Sequence, residues 1–196
     1  TIVPITWLFL LSIKSKGETF TKPPKWVFDP TIQNYVDLYI GKRDETERIC
    51  ESCLHNDKKW EYIVCLSDSE EFQQVSFVNG IYTKDGGKHV DYVLNQIVKK
   101  LQAIILKKRK VEVKSSTIKE QIMLFLDCEI VNPSFNSQTK DYMSTPVSKF
   151  GSVCSVSNKF CEKIAKLGVL ETACQLTNVK ENKHAKKTDG NKTKSI

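Results

Sequence analysis

Gly86-Gly-Lys-His-Val90-Asp-Tyr-Val-Leu94-Asn-Gln-Ile97-Val-Lys-Lys-Leu101-Gln-Ala-Ile104 reads as a glycine pair that opens one long helix. The apolar positions Val90, Leu94, Ile97, Leu101 and Ile104 step by four, three, four and three, a spacing that places all of them on one face. Such a stripe needs a flat apolar partner, and the flanking sequence supplies strands. Upstream, Trp60-Glu-Tyr-Ile-Val-Cys-Leu66 is a run of the buried type, and Phe72-Gln-Gln-Val75-Ser-Phe77-Val-Asn79 partly alternates; turn residues between them predict a hairpin. Val111 to Lys119 reads as a polar connection. Downstream, Ile122, Leu124, Leu126, Cys128 and Ile130 alternate with Asp127 and Glu129, the period of a half-buried strand, and Asn132-Pro133 ends it. Ser157 to Gly168 reads as a short helix with a serine cap and a glycine stop, followed by a second helix from Val169 to about Lys183. The pattern is α+β, with helices packed on a sheet.

The 196 residues, 40% apolar and 9% aromatic, suffice for one domain with a real core and exclude a disordered chain. A formal net charge of +7 suits an acidic partner. Seven cysteines form an odd set without the regular spacing of a secreted disulfide scaffold, so free thiols are expected. Cys50-Glu-Ser-Cys53 with His55 has half of a zinc-ligand spacing, but no second Cys/His pair follows, and no metal site is expected. The apolar run Ile2 to Ile13 spans 12 residues and contains Pro4, short of the ~20 that cross a bilayer. It has no basic region ahead of it and no small-residue cleavage site, so neither a membrane span nor a signal peptide is expected. A chain that starts at Thr1 reads as a truncation.

Three groups of residues can carry chemistry. Asn132-Pro-Ser-Phe-Asn-Ser-Gln138-Thr139-Lys140 is a polar loop ending in an ammonium on a long stem, able to reach a phosphate held by another domain; taken alone, such a tetrapeptide is a polar turn. Gly86-Gly87-Lys88-His89 could expose backbone donors at a helix start, although two glycines without a Walker pattern more often make a turn, and His89 reads as structural rather than as a base. Lys107-Lys108-Arg109-Lys110 closes the long helix, where cations offset the negative end of the helix dipole or meet duplex phosphates. Lys99, Lys100, Lys114 and Lys119 extend that basic face.

These motifs, together with Ser76-Phe-Val-Asn79-Gly, resemble in content and order the transducer domain of eukaryotic type IIA DNA topoisomerases. The resemblance runs from about Thr31 to Ile196, beginning at Ile32-Gln-Asn-Tyr35-Val-Asp37-Leu-Tyr39. It implies a mixed sheet of about four strands backed by helices with a βαβ crossover, the transducer fold of GHKL ATPases that ribosomal proteins share. It also implies that Gln138, Thr139 and Lys140 enter the ATP site of the neighbouring domain. Lys140 would then meet the terminal phosphate, while Gln138 orients water or closes the site and Thr139 shapes the loop. By the same resemblance Lys107, Lys108 and Arg109 face the cavity that holds the transported DNA, the loop after them being shorter by about two residues. The Gly-Gly-Lys-His motif is structural in the family.

The implied protein is nuclear, homodimeric and ATP-hydrolysing, with ATP and Mg2+ bound mainly by other domains and duplex DNA as partner. Residues 1–30 match nothing in the family and form an unassigned leader, as in a partial or mis-spliced product; 31–184 form the transducer; 185–196 form a basic linker toward the DNA-cleavage core. From Lys180 onward six lysines face Glu181 and Asp189, a net +4. There is no nucleotide-binding half, no acidic metal-binding set and no tyrosine for a covalent DNA link, so this segment by itself is expected to be inactive. A stand-alone nucleic-acid-binding module and the equivalent domain of mismatch-repair or chaperone ATPases are the alternatives.

Overall fold

The chain is seen in a computed structural model that describes residues 32–41, 46–69 and 71–177. The expected leader, the end of the second helix beyond 177 and the basic linker lie outside the described residues. Two compact units divide at Lys42 and Arg43. Within the first, α1 (Ile32–Ile40) buries Ile32 and Val36 and stacks Tyr35 against Tyr39, ring centroids 5.3 Å apart.

The second unit is built on a five-stranded sheet. Its strands are β1 (Arg48–His55), β2 (Lys58–Leu66), β3 (Gln73–Val78), β4 (Ile81–Tyr82) and β6 (Ile122–Cys128), in the order β1-β2-β6-β3-β4. Between β4 and β6 in the chain come the short β5 (Gly86–Gly87), the 22-residue helix α2 (Lys88–Arg109) and the single turn α3 (Ser115–Lys119). The α+β class and the crossover are as read: β3 runs parallel to β6, and α2 joins them.

The predicted hairpin between Trp60–Leu66 and Phe72–Asn79 does not form, because β6 inserts between these strands, antiparallel to β2 and parallel to β3. The cause is burial. Leu124, Phe125 and Leu126 are successive and fully buried, so β6 is apolar on both faces, which suits the covered middle of the sheet better than an edge. The true partner of β2 is β1, joined through Asn56-Asp57 with φ of 52° and 55°, the two left-handed residues of a hairpin turn that follows the strand twist. Strand β1 carries Arg48, Glu51, Ser52 and His55 and lies only partly buried at the sheet edge, which explains why alternation did not reveal it. A second turn of the same kind, Asn79-Gly80 with φ of 50° and 73°, folds β4 onto β3. The Asn79 amide also donates to Ile130 O (2.9 Å) and accepts from Ile130 N (2.8 Å), clamping the end of β6.

Helix α2 covers one sheet face with Val90, Val93, Leu94, Ile97, Val98, Leu101 and Ile105 against Trp60, Tyr62, Val64, Leu124 and Leu126. Ile104, placed in the stripe by spacing, is only partly buried, and Ile105 takes the core position. The opposite face carries Ile63, Cys65, Val75 and Phe125, also buried. The segment read as a polar connection contains α3, which buries Ile118 and Thr117. Ser157 caps α4 (Asn158–Ile164), accepting from Phe160 N at 3.0 Å, as expected. Gly168, with φ 105°, marks a break inside a wide turn (Ala165–Val169), and helix resumes over 170–177.

At the start of α2, His89 is fully buried and its Nε2 lies 3.2 Å from Thr83 Oγ1, which donates to Ser76 O at 2.9 Å. The Nδ1 atom has no partner among the described residues, and burial lowers the imidazole pKa to about 3. A histidine that stays neutral in the folded chain but charges near pH 6.5 in the unfolded one loses stability as pH falls between those values. Asp127, whose carboxyl is raised by burial, has the opposite sign, but only in the carboxylate range. Between pH 7 and 5 stability should therefore fall by about 1–2 kcal/mol, and His89→Gln should flatten that slope in urea denaturation; equal slopes in the two proteins would exclude His89 as the cause.

Candidate functional site

The polar loop is a small hairpin with a rigid base. Asn132 takes a φ of 44°, after which Ser134 N donates to Thr145 Oγ1 (2.7 Å), Ser144 N to Ser134 O (2.9 Å) and Asn136 N to Tyr142 O (3.1 Å). Phe135 bridges Met143 across the hairpin. At its tip the Lys140 amide donates to Ser137 O at 3.2 Å, closing a turn with Gln138 and Thr139 at its centre. The turn is braced by side chains: the Ser137 and Thr139 hydroxyls are 2.7 Å apart, and Thr139 Oγ1 donates to the Asp141 carboxylate.

Gln138, Thr139 and Lys140 are all exposed, and Lys140 has a left-handed φ of 62°. Its ammonium lies over the Phe135 ring, 5.9 Å from the centroid, and makes no ion pair among the described residues. Such a cation–π contact contributes about 0.5–1 kcal/mol at an exposed site, little enough for an anion to displace it.

The glycine pair is the seat of this hairpin. Strand β5 pairs in parallel with β7 (Tyr142–Met143), Gly86 opposite Tyr142 and Gly87 opposite Met143, and Asp85 N donates to Asp141 O at 2.9 Å. A Cβ on Gly87 would stand 2.3 Å from Met143 O and 2.6 Å from Met143 N, and its φ is 144°. Only a residue without a side chain lets the two backbones approach so closely. The Gly86-Gly87-Lys88-His89 sequence therefore joins the loop to the start of α2, and its glycines pair with Tyr142 and Met143 rather than forming an open cradle. Spacing alone did not reveal this pairing, because its partner lies 56 residues further along the chain.

Lys107, Lys108 and Arg109 are exposed at the last turn of α2, and Lys110 ends the helix with a φ of 59° and an amide bond to Leu106 O of 3.1 Å. Arg109 Nη2 lies 3.5 Å from Glu171 Oε1, both side chains more than half exposed, an arrangement worth ~0–1 kcal/mol that leaves the cation available. Lys99 and Lys114 are exposed, but Lys100 is committed elsewhere: its ammonium donates to Val156 O (2.5 Å) and Asn158 Oδ1 (2.9 Å). It ties α2 to the chain ahead of α4 and does not extend the basic face.

Among the described residues no group of three or more His, Cys, Asp or Glu side chains is placed to hold a metal ion. In the Cys50-Glu-Ser-Cys53 segment the two thiols leave opposite faces of β1, and His55 Nδ1 accepts from Val153 N at 3.3 Å. No helix among the described residues is long and apolar enough to cross a membrane.

The family model described as DNA gyrase B matches residues 31–194. A DNA topoisomerase 2 from Arabidopsis thaliana is 42% identical over 170 residues, which cover 83% of this chain and 11% of the relative. The chain therefore spans about a tenth of that relative's length. The ATPase region of Saccharomyces cerevisiae topoisomerase II superposes with a TM-score of 0.64 at 37% identity, covering 75% of this chain and 36% of the other. The ATPase and transducer domains of DNA topoisomerase II from Balamuthia mandrillaris superpose with a TM-score of 0.67 at 33% identity, covering 77% and 37%.

Gly87→Ala should destabilise the fold by roughly 2–3 kcal/mol, because the added methyl meets backbone and not a movable side chain. Amide exchange should rise first at Asn136 and Ser144, the hairpin donors; a loss under about 0.5 kcal/mol would show that the base tolerates a wider spacing.

Proposed function

Because the chain belongs to the DNA gyrase B family, we propose that it is the transducer segment of a type IIA DNA topoisomerase, an ATP-dependent DNA isomerase, and that it couples ATP binding and hydrolysis to gate closure and strand passage. The observation that carries this reading is the hairpin: Gln138, Thr139 and Lys140 stand exposed at the tip of a loop seated on Gly87, in a chain homologous to the ATPase region of type II topoisomerases. A stand-alone nucleic-acid module has no need of such a tip, and the family match does not favour it. Residues 31–184 are the transducer, 185–196 the basic linker toward the DNA-cleavage core, and 1–30 are unassigned. The whole protein is a nuclear homodimer that acts on duplex DNA.

ATP, with Mg2+, supplies the triphosphate charge on a neighbouring ATPase domain. An exposed ammonium with no carboxylate partner among the described residues fits a terminal phosphate oxygen. Lys140 offers that oxygen up to three N–H donors, Gln138 orients water beside it, and Thr139 holds the turn through Asp141. A charge-assisted hydrogen bond of this kind contributes on the order of 1.5–3 kcal/mol, enough to shift a hinge between two positions by one to two decades. When that bond is lost the bias lapses, which is how the tip converts the state of a distant phosphate into domain position.

The exposed cations at the end of α2 meet the phosphates of the transported duplex. Such contacts need positive charge and reach but no base reading, and they are strongest at low salt.

In the intact protein Lys140→Ala should lower ATP turnover and strand passage by roughly 10–100-fold while leaving the melting temperature unchanged; turnover within about twofold of the parent would remove Lys140 from the coupling. Replacing Lys107, Lys108 and Arg109 by glutamine should weaken duplex binding and reduce the slope of log K against log salt by up to about 2–3. An unchanged slope would place the DNA elsewhere.

A further inference from the structure

The segment 151–157 runs as a strap between the loop hairpin and α4, and it lies along β1. Val153 N is held by His55 Nδ1 at 3.3 Å, and Ser157 N by Glu51 Oε2 at 3.0 Å. On its other side Cys154 O accepts from Tyr92 OH (2.9 Å) and Gln96 Nε2 (3.0 Å), both on α2. Between the two β1 anchors, Cys53 and Cys154 face each other with their sulfurs 3.4 Å apart. The thiols are free, Cys53 half-buried at the sheet edge and Cys154 fully buried.

We propose that Cys53 and Cys154 form a dithiol modification site, which small-molecule disulfides of the glutathione type oxidise to an intrachain bridge. The sulfurs need to close by only ~1.4 Å to reach bonding distance, and a strap pinned on both sides keeps their backbones in place. Cys53, the accessible partner, opens the reaction: its thiolate attacks one sulfur of the reagent, the reagent's S–S bond breaks, and one small thiol leaves with the proton. Cys154 then gives its proton to the departing sulfur as it attacks the Cys53 sulfur of the mixed disulfide, and the second small thiol leaves. Two protein thiols lose two electrons, and one reagent disulfide becomes two thiols. Burial, followed by the neighbouring Cys53, holds the Cys154 thiol well above its usual range, so it does not react first. Cys50, three residues from Cys53, leaves the opposite face of β1 and serves as an internal control. The bridge would fasten the strap to the sheet edge across a closed loop of about a hundred residues. This inference does not depend on the ATP-coupling reading.

The test uses the full 196-residue chain treated with oxidised glutathione and digested without reductant. Peptides containing Cys53 and Cys154 should appear joined and two hydrogens lighter, with the melting temperature raised by roughly 5–10 °C and both changes reversed by dithiothreitol. Cys53→Ser should abolish the bridge. Cys154→Ser should instead leave glutathione stably attached to Cys53, whereas a purely packing role for Cys154 would leave that adduct on the unsubstituted chain as well. Glutathione accumulating on Cys53 in the unsubstituted chain, a bridge that uses Cys50 or Cys174, or Cys53 left unmodified while Cys50 reacts would each overturn the proposal.

Discussion

The arrangement depends on a central strand that, like its neighbour β2, must be buried on both faces. Leu124, Phe125 and Leu126 leave β6 no solvent side, so it takes the middle of the sheet and accepts β3 as a parallel neighbour. Parallel neighbours cannot be joined by a tight turn; the chain has to cross the sheet and return. The 22-residue α2 is that crossover, and at 1.5 Å per residue it is about 33 Å long. Its two ends are the two places where function is proposed: Gly86-Gly87 seats the hairpin at the start, and Lys107, Lys108 and Arg109 close the last turn. A packing demand in the sheet thus fixes one rigid rod that carries both sites.

The contacts around that rod keep it from sliding. Trp60 packs edge-on to Tyr92 of α2 at 5.9 Å and donates from Nε1 to Ser152 Oγ at 2.9 Å, so one β2 residue touches both the helix and the strap. Glu51 on β1 gathers the Tyr62 hydroxyl, Ser157 N and the Ser157 hydroxyl. Burial alone would raise its carboxyl, but the bonds from Ser157 and Tyr62 outweigh that and hold it below the usual range. The carboxylate therefore stays charged, and its three donors tie the N-cap of α4 to the sheet edge. Lys100 performs the matching task from α2, through Val156 O and Asn158 Oδ1.

Much of this was legible in the chain, for reasons that can be traced residue by residue. The α2 stripe was readable because its period is dense and its flanks are punctuated, and the Ser157 cap because one hydroxyl followed by an amphipathic turn has few other uses. Strand β1 was hidden by its own edge position, which leaves charged residues on it and spoils alternation. The pairing order was unreadable because β2 and β3 are close in sequence, whereas their shared partner β6 is selected by burial on two faces, a property of the assembled sheet. At the loop, Gln138-Thr139-Lys140 is a candidate through likeness to a family, not through spacing, and the role of Gly87 emerges only where Met143 approaches it. Lys100 was misassigned for a related reason: charge in a basic stretch does not show that an ammonium is already bound to Val156 and Asn158.

A coupling tip must be mobile in what it contacts but fixed in where it stands. In this hairpin the base is held mostly by backbone: parallel pairing at Gly86-Gly87, the Asp85 to Asp141 bond and the Ser144 to Ser134 bond, with the Thr145 hydroxyl accepting from Ser134 N. The tip is held by one backbone bond, Lys140 N to Ser137 O, and by the short polar side chains of Ser137, Thr139 and Asp141, with Lys140 resting on Phe135. A force applied to the Lys140 ammonium therefore passes through a small turn into a base pressed against the first residues of α2, with little slack to absorb it. Were the base loose, a bond of ~1.5–3 kcal/mol would be spent ordering the loop. In the proposed coupling, a tip seated on Gly87 would leave most of it to move the helix.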